Sequence, residues 1–522
     1  MARKKRNEEK LWILDFGSQY TQLIARAVRE FGVHSEIVSH KTRAKDLPSE
    51  VRALIFSGSP SSVLSPNALE FDEELLECAL PILGICYGLQ AIVHKMGGDI
   101  SKGESGEFGA GKLRHHEKSH PLFHQISEDC PVWMSHGDSV SKLPEEFSLL
   151  AESRDGLIAA VAHREKKILG LQFHPEVSHT EDNQQFIKNF LFDFAKLKGD
   201  WSLGDFLELE KKKLEKIIGH GQAICALSGG VDSTVAAALT HKAIGNRLHC
   251  IYVNHGLARK EDSSHIEKLQ QNIGLSIRIV DASQEFLSAL QGVSDPEEKR
   301  KIIGKTFIDV FEREKKELEK TQGKIEFLVQ GTLYPDVIES VSPYQDKVSS
   351  TIKSHHNVGG LPENFDFTLI EPLRELFKDE VRELGGLLEV PDDILKRHPF
   401  PGPGLAIRII GEINEERLDL LREVDAVYIE ELKRSGHYDQ IWQALAVWLP
   451  IQSVGVKGDE RAYEHVIALR AVISRDGMTA DWYRFPHDLL AKISNRITNE
   501  FPKVGRVVYD VSTKPPATIE WE

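Results

Sequence analysis

Short apolar runs, each closed by glycine or hydroxyl residues, alternate with helical patterns through most of the chain. Leu11-Trp12-Ile13-Leu14 predicts a buried strand, and Tyr20 to Phe31 predicts a helix. Ala53-Leu54-Ile55-Phe56 predicts a second strand, which runs into the turn Ser57-Gly58-Ser59-Pro60. Further strands are expected at Pro81 to Ile85 and at Ile168 to Leu171. Strands alternating with helices imply a parallel sheet with both faces covered.

The pattern restarts after a charged helical run, Glu208 to Lys216, which reads as a solvated helix linking two domains. Strands are expected at Ala223–Leu227, Leu248–Val253, Ser276–Val280 and Ile325–Val329, with a helix at Glu297–Glu319. This predicts a second doubly wound sheet. Its ligand belongs outside the carboxyl ends of the strands, where Ser228, Asn254 and Gly331 fall. His398-Pro399-Phe400-Pro401-Gly402-Pro403-Gly404 forbids a regular helix and marks a boundary. Beyond it, the segments 406–410, 415–433, 465–473, 488–501 and 505–511 suggest a small α+β module. The expected fold is therefore α/β: doubly wound domains at 9–199 and 200–397, then an α+β domain at 398–522. A length of 522 residues agrees with about three domains.

Composition removes several classes. Lys plus Arg is 65 against 80 for Asp plus Glu, a net charge of −15, which argues against a broad nucleic-acid surface. Five scattered cysteines without a C-x-x-C pair suggest a reducing compartment, hence the cytoplasm. No apolar run is long enough to span a membrane. The basic segment Met1 to Lys10 has no apolar stretch behind it, so it reads as a solvated tail and not as a signal peptide.

Two strand-to-helix turns carry the chemistry. In Gly84-Ile85-Cys86-Tyr87-Gly88, a cysteine replaces the serine of a nucleophile elbow. The sharp turn presents the thiol at the strand tip, where a helix N-terminus favours its thiolate. Downstream, His174 and Glu176 stand two apart at what reads as a strand end, so period-two geometry aims both to one side. The carboxylate can then orient the imidazole that activates the thiol. His115, His116, His120 and His124 cluster in sequence but lack metal-ligand spacing, and read as loop residues.

The second turn is Ser228-Gly229-Gly230-Val231-Asp232-Ser233-Thr234, between an apolar strand and an alanine-rich helix. Glycines let the backbone approach an anion, the helix start attracts it, and hydroxyls of Ser228, Ser233 and Thr234 donate to it. Asp232 can hold Mg²⁺. The lysine of the common G-x-x-x-x-G-K-[ST] loop is missing. Lys353-Ser354-His355-His356 with following glycines, and Glu371 to Arg382 with Lys378, read as mobile covers. The ending, Lys514-Pro515-Pro516-Ala517-Thr518-Ile519-Glu520-Trp521-Glu522, is stiffened by proline and reads as a docked tail.

These motifs carry resemblances. Gly84 to Gly88 with His174-Pro175-Glu176 resembles the class I glutamine amidotransferases. That implies Cys86, His174 and Glu176 as catalytic residues and an oxyanion hole near Gly58 and Tyr87. Ser228 to Thr234 resembles the loop of the ATP pyrophosphatase family, which cleaves ATP between its α- and β-phosphates. The order of all modules resembles the glutamine-hydrolysing GMP synthetase family. This resemblance implies ATP as co-substrate with Mg²⁺, and Lys353 and Lys378 closing over the nucleotide. It implies xanthosine monophosphate (XMP) held by Arg300, Lys514 and Glu520, and a homodimer formed through the last module. No nucleic-acid or membrane partner is implied. The alternative is another adenylating amidotransferase such as an NAD synthetase, against which the Lys514–Glu522 ending argues.

Overall fold

The computed structural model describes residues 9–522 apart from 19, 128–129, 178–182, 337–366, 458–459 and 475–478. These residues form two compact units, one ending at Phe206 and one beginning at Leu207.

The first unit is built on nine strands: β1 (Lys10–Asp15), β2 (His34–Ser39), β3 (Val51–Phe56), β4 (Ile82–Ile85), β5 (Asp99–His115), β6 (Pro131–Lys142), β7 (Phe147–Ser153), β8 (Ile158–His163) and β9 (Ile168–Leu171). Their order is β2-β1-β3-β4-β9-β8-β7-β5-β6. The half from β2 to β9 is parallel; β1, β3, β4 and β9 are the strands the apolar runs predict, and β2 joins them unannounced. Every residue of β4 and β9 is buried, which is what strands covered on both faces require. From β8 to β6 the pairing is antiparallel, an extension the pattern did not reveal. β5 reads Asp-Ile-Ser-Lys-Gly-Glu-Ser-Gly-Glu-Phe-Gly-Ala-Gly-Lys-Leu-Arg-His, which carries no apolar run.

The second unit holds β10 (Gln222–Leu227), β11 (Leu248–Asn254), β12 (Ile277–Asp281), β13 (Ile325–Val329) and β14 (Thr368–Ile370). All are parallel, in the order β12-β11-β10-β13-β14. The chain leaves β10 toward β11 on one side and returns to β13 on the other. The order therefore reverses between β10 and β13, where a doubly wound sheet opens its crevice.

A second sheet follows in the same unit: β15 (Gln443–Lys457), β16 (Glu460–Ile473), β17 (Asp481–Trp482) and β18 (Val504–Tyr509). β15 and β17 pair antiparallel with β16, and β18 pairs parallel with it. The helices Glu415–Arg434 and His487–Glu500 pack on this sheet. One apolar core runs from Ile224 and Ile251 in the parallel sheet through Leu405 and Tyr428 to Trp448 and Ile467. Segment 406–410 departs from expectation. Gly404–Arg408 is a 3₁₀ turn rather than a strand, and only a single parallel bridge, Ile409 to Trp448, follows it.

Candidate functional site

In the first unit the elbow has the predicted form. Cys86 takes φ 52° and ψ −105° between β4 and the helix Tyr87–Lys95, a conformation that is strained for a residue with a Cβ. Close packing makes the turn possible. A Cβ on Gly88 would lie 2.3 Å from Phe56 O, and one on Gly84 would lie 2.7 Å from Leu89 N.

His174 and Glu176 do not extend β9. The strand ends at Leu171, and both residues lie in the turn beyond it. Period two is therefore the wrong reason for their shared direction; the turn brings them together. His174 Nδ1 and Glu176 Oε1 are 2.7 Å apart, with His174 only 3% exposed. Burial opposes charge on this imidazole. The Glu176 carboxylate and hydrogen bonds to Cys86 and Glu176 outweigh it, and hold the His174 pKa well above the ordinary histidine value. Thiol, imidazole and carboxylate thus stand in the sequence a cysteine nucleophile needs.

Gly58 sits over this arrangement: a Cβ there would lie 3.2 Å from His174 Cε1. Tyr87 opens the helix beside Cys86, and its hydroxyl donates to Leu69 O at 2.9 Å. Tyr20 packs edge-on against His174, ring centroids 5.1 Å apart, a contact no motif announced. The four clustered histidines are engaged separately. His116 meets Glu152 at 2.9 Å, His124 meets Asp193 at 3.0 Å, His120 accepts from Leu122 N, and His115 stacks on Phe123.

In the second unit the glycine loop follows β10 at the point where the strand order reverses. Ser228 Oγ and Ser233 Oγ are 3.0 Å apart, and Gly230 N donates to Ser228 Oγ at 3.3 Å. Gly229 has φ +75°, which glycine adopts without cost. Gly331, after β13, comes so close that a Cβ would lie 2.8 Å from Asp232 C. Thr234 is a correction. It is fully buried in the helix Val231–Ile244, so its hydroxyl is not presented to a ligand. Val231 is also buried and has only its backbone to offer.

Lys378 Nζ stands 3.8 Å from Asp232 Oδ2, which places one expected cover residue at the loop. Lys353 and the stretch around it lie outside the described residues. Arg397 was not foreseen. Its guanidinium donates to Gly229 O at 3.1 Å and pairs with Asp262 at 2.5 Å. Arg397 directly precedes the proline-glycine boundary segment, but its contact with the loop is long-range and only the fold reveals it.

The tail is docked, and two fully buried arginines hold it. Arg470 donates to the carbonyls of Ser512, Thr518 and Ile519 and to Asp510. Arg408 pairs with Glu520 at 2.8 Å, and Gln443 donates to the same carboxylate. Glu520 is thereby engaged within the chain, and is not the open acceptor the sequence suggested. Lys299, also fully buried, reaches Glu522 at 2.6 Å, while its neighbour Arg300 pairs with Glu297 on the helix Pro296–Gln322. Lys514 exchanges backbone hydrogen bonds with Ala480.

A cysteine elbow backed by His174 and Glu176, joined in one chain to an anion loop at the crevice of a parallel sheet, defines a glutamine amidotransferase coupled to a nucleotide-using domain. Comparison with known proteins agrees module by module. Residues 12–194 match glutamine amidotransferase class-I, residues 204–332 match NAD synthase, and residues 430–521 match the GMP synthase C terminal domain. A GMP synthase (glutamine-hydrolyzing) of Aquifex aeolicus (strain VF5) is 54% identical over 98% of this chain and 99% of its own length. One from Chlorobaculum tepidum is 52% identical over 98% of both chains. The chain belongs to the glutamine-hydrolysing GMP synthase family. The likeness to NAD synthase is confined to one module.

Proposed function

We propose that the chain makes GMP from XMP, ATP and glutamine, through two catalysts that divide the work between the two units. In the first, the Cys86 sulfur attacks the side-chain amide carbon of glutamine. His174 takes the thiol proton and delivers it to the departing ammonia, and Glu176 holds the imidazole in line. Water then cleaves the thioester and releases glutamate. Backbone N–H groups at Gly58 and Tyr87 are suited to the oxyanion of each tetrahedral intermediate. The observation that carries this reading is the buried His174 held between Cys86 and Glu176.

In the second unit, Ser228 to Ser233 cradle pyrophosphate as AMP is transferred to the C2 oxygen of XMP. That oxygen is a poor leaving group until adenylated, and ammonia then displaces AMP. Lys378 and, in this reading, Lys353 offset phosphate charge. Asp232, at the start of the helix that follows the loop, is the carboxylate that would hold Mg²⁺, and the ion when bound would neutralise the phosphates. XMP is assigned to Arg300 and Lys514, with Glu520 holding the tail that carries Lys514.

A homodimer through the last module is supported by exposed apolar residues on the β15–β16 hairpin, where Val454 and Tyr463 are paired. Val456 is 76% exposed and Tyr463 65%, with Ile451 and Val454 beside them. Five free cysteines agree with a cytoplasmic enzyme. No helix among the described residues is long and apolar enough to cross a membrane. The deciding assay supplies XMP, Mg²⁺-ATP and glutamine. GMP, AMP, pyrophosphate and glutamate are expected; ADP and phosphate would overturn the loop assignment.

A further inference from the structure

Behind the nucleophile lies a relay of buried amides. Gln172, one residue past β9, is 1% exposed, and Gln90 in the helix Tyr87–Lys95 is 4% exposed. Gln172 Nε2 lies 3.7 Å from Cys86 Sγ. Gln90 Nε2 donates to Gln172 Oε1 at 3.2 Å and to Asp138 O at 2.7 Å. The far end sets the direction of this relay. A backbone carbonyl only accepts, so Gln90 must present its nitrogen to Asp138. That nitrogen also meets the Gln172 oxygen, which leaves the Gln172 nitrogen for the sulfur. On another side Cys86 Sγ approaches Ser135 O at 3.8 Å, an acceptor that suits the thiol but not the thiolate.

We infer that Gln172 is a further catalytic residue, donating an amide N–H to the Cys86 sulfur whenever that sulfur is an anion, and that Gln90 positions it. A buried anion without donors is costly, and a hydrogen bond to a charged acceptor is stronger than one to a neutral atom. The sulfur is anionic twice in each turnover: before it attacks glutamine, and again when water has cleaved the thioester. His174 is occupied with proton transfer at both moments. Gln172 carries no proton that it must give up, so its donation persists throughout. This inference rests on Cys86 being the nucleophile.

The test is alkylation of the full-length protein by iodoacetamide, following the Cys86 peptide by mass spectrometry from about pH 5 to about pH 10. Gln172→Leu should react about tenfold more slowly near neutrality and regain the wild-type rate at alkaline pH, where the sulfur is anionic without help. Gln172→Glu keeps the shape but replaces the donor with an acceptor, and should be slower still near neutrality. Gln90→Leu should show a smaller loss of the same pH-dependent form. A Gln172→Leu profile superimposable on wild type would overturn the donor role. A uniform loss at every pH would also overturn it, since that is the mark of a damaged fold. A wild-type profile for Gln90→Leu would remove its positioning role. Failure of the nucleophile reading looks different: wild-type protein alkylated at Cys86 would still use glutamine.

Discussion

Cys86 and His174 show how single residues are tuned by what the fold places around them. Cys86 holds its positive φ because the glycines at 84 and 88 let strand and helix close on each other. Cys86→Ala should abolish glutamine-dependent GMP formation while synthesis from ammonium salt continues, because the nucleotide loop belongs to another compact unit. Retained glutamine use in a steady-state assay would refute the nucleophile. His174 has its pKa raised despite burial, through Glu176 and Cys86. For a raised value, the stabilising contribution is complete below the ordinary histidine value of about 6.5, and is lost as pH rises through the folded value. Following the His174 ring by NMR should give a midpoint well above that value, moving down in Glu176→Gln. An unmoved midpoint would remove Glu176 as its partner.

At the scale of elements, the nucleotide loop and the tail are both held by arginines from elsewhere in the second unit. Arg397 donates to the Gly229 carbonyl and so fixes the backbone of the loop proposed to hold phosphate. Arg397→Met should weaken ATP binding by about 1.5–3 kcal/mol, the range for a hydrogen bond involving a charged group, with glutaminase activity unaffected. Calorimetric titration with ATP reads this directly. The tail is also a structural element. Arg408 and Arg470 are fully buried, and their partners include Glu520 and the carbonyls of Thr518 and Ile519. Removing residues 514–522 should therefore destabilise the second unit, because Lys299 loses Glu522 and Arg408 loses Glu520, keeping Asp425 at 3.8 Å. Breaking a buried pair costs about 3–5 kcal/mol, whereas Arg470 retains Asp510. Denaturant unfolding of the truncated chain would show this. Lys514→Ala, which spares those arginines, should weaken XMP binding and leave stability near wild type.

For the molecule as a whole, buried histidines set the response to acid. Burial first, then nearby Arg259, hold His398 down to about 4, although its bond to the Tyr438 carbonyl works the other way. Ala444 N donates to its Nδ1, so the neutral ring donates through Nε2 to Tyr438 O. In the first unit burial, Arg29 and Lys10 hold His34 down to about 3. A depressed value gives stability that is present above the unfolded pKa and lost as pH falls toward the folded one. Each residue should then cost up to about 3 kcal/mol between pH ~6.5 and pH ~4. Unfolding midpoints should fall over that window, and His398→Gln should flatten the fall in the second unit. The exposed Val456 and Tyr463 lead to a test of assembly: Tyr463→Lys should turn a dimer into a monomer by sedimentation, and a wild-type monomer would refute the interface.

Strands β1, β3, β4, β9 and β10 to β13, the Cys86 elbow and the Ser228 loop were legible in the chain, because each rests on neighbours in sequence; β2 and the short β14 were not. A buried strand needs a continuous apolar run, and a turn into a helix needs its glycines within a few positions. Strand β5 was not legible, since polar and glycine residues carry no period and only its partners β6 and β7 hold it extended. β15 was missed as well, although it forms a hairpin with β16; Pro450 interrupts its apolar run and argues against a strand there. His174 and Glu176 were identified as partners, but their meeting comes from a turn and not from a strand's alternation. Gln172 beside the sulfur, Arg397 on the loop, the burial of Thr234 and the closure of Arg408 on Glu520 were settled only by the tertiary structure. Each depends on which distant side chains share a buried space, and sequence spacing does not encode that. Local chemistry was therefore written in the motifs, and the electrostatic surroundings that tune it were decided by packing.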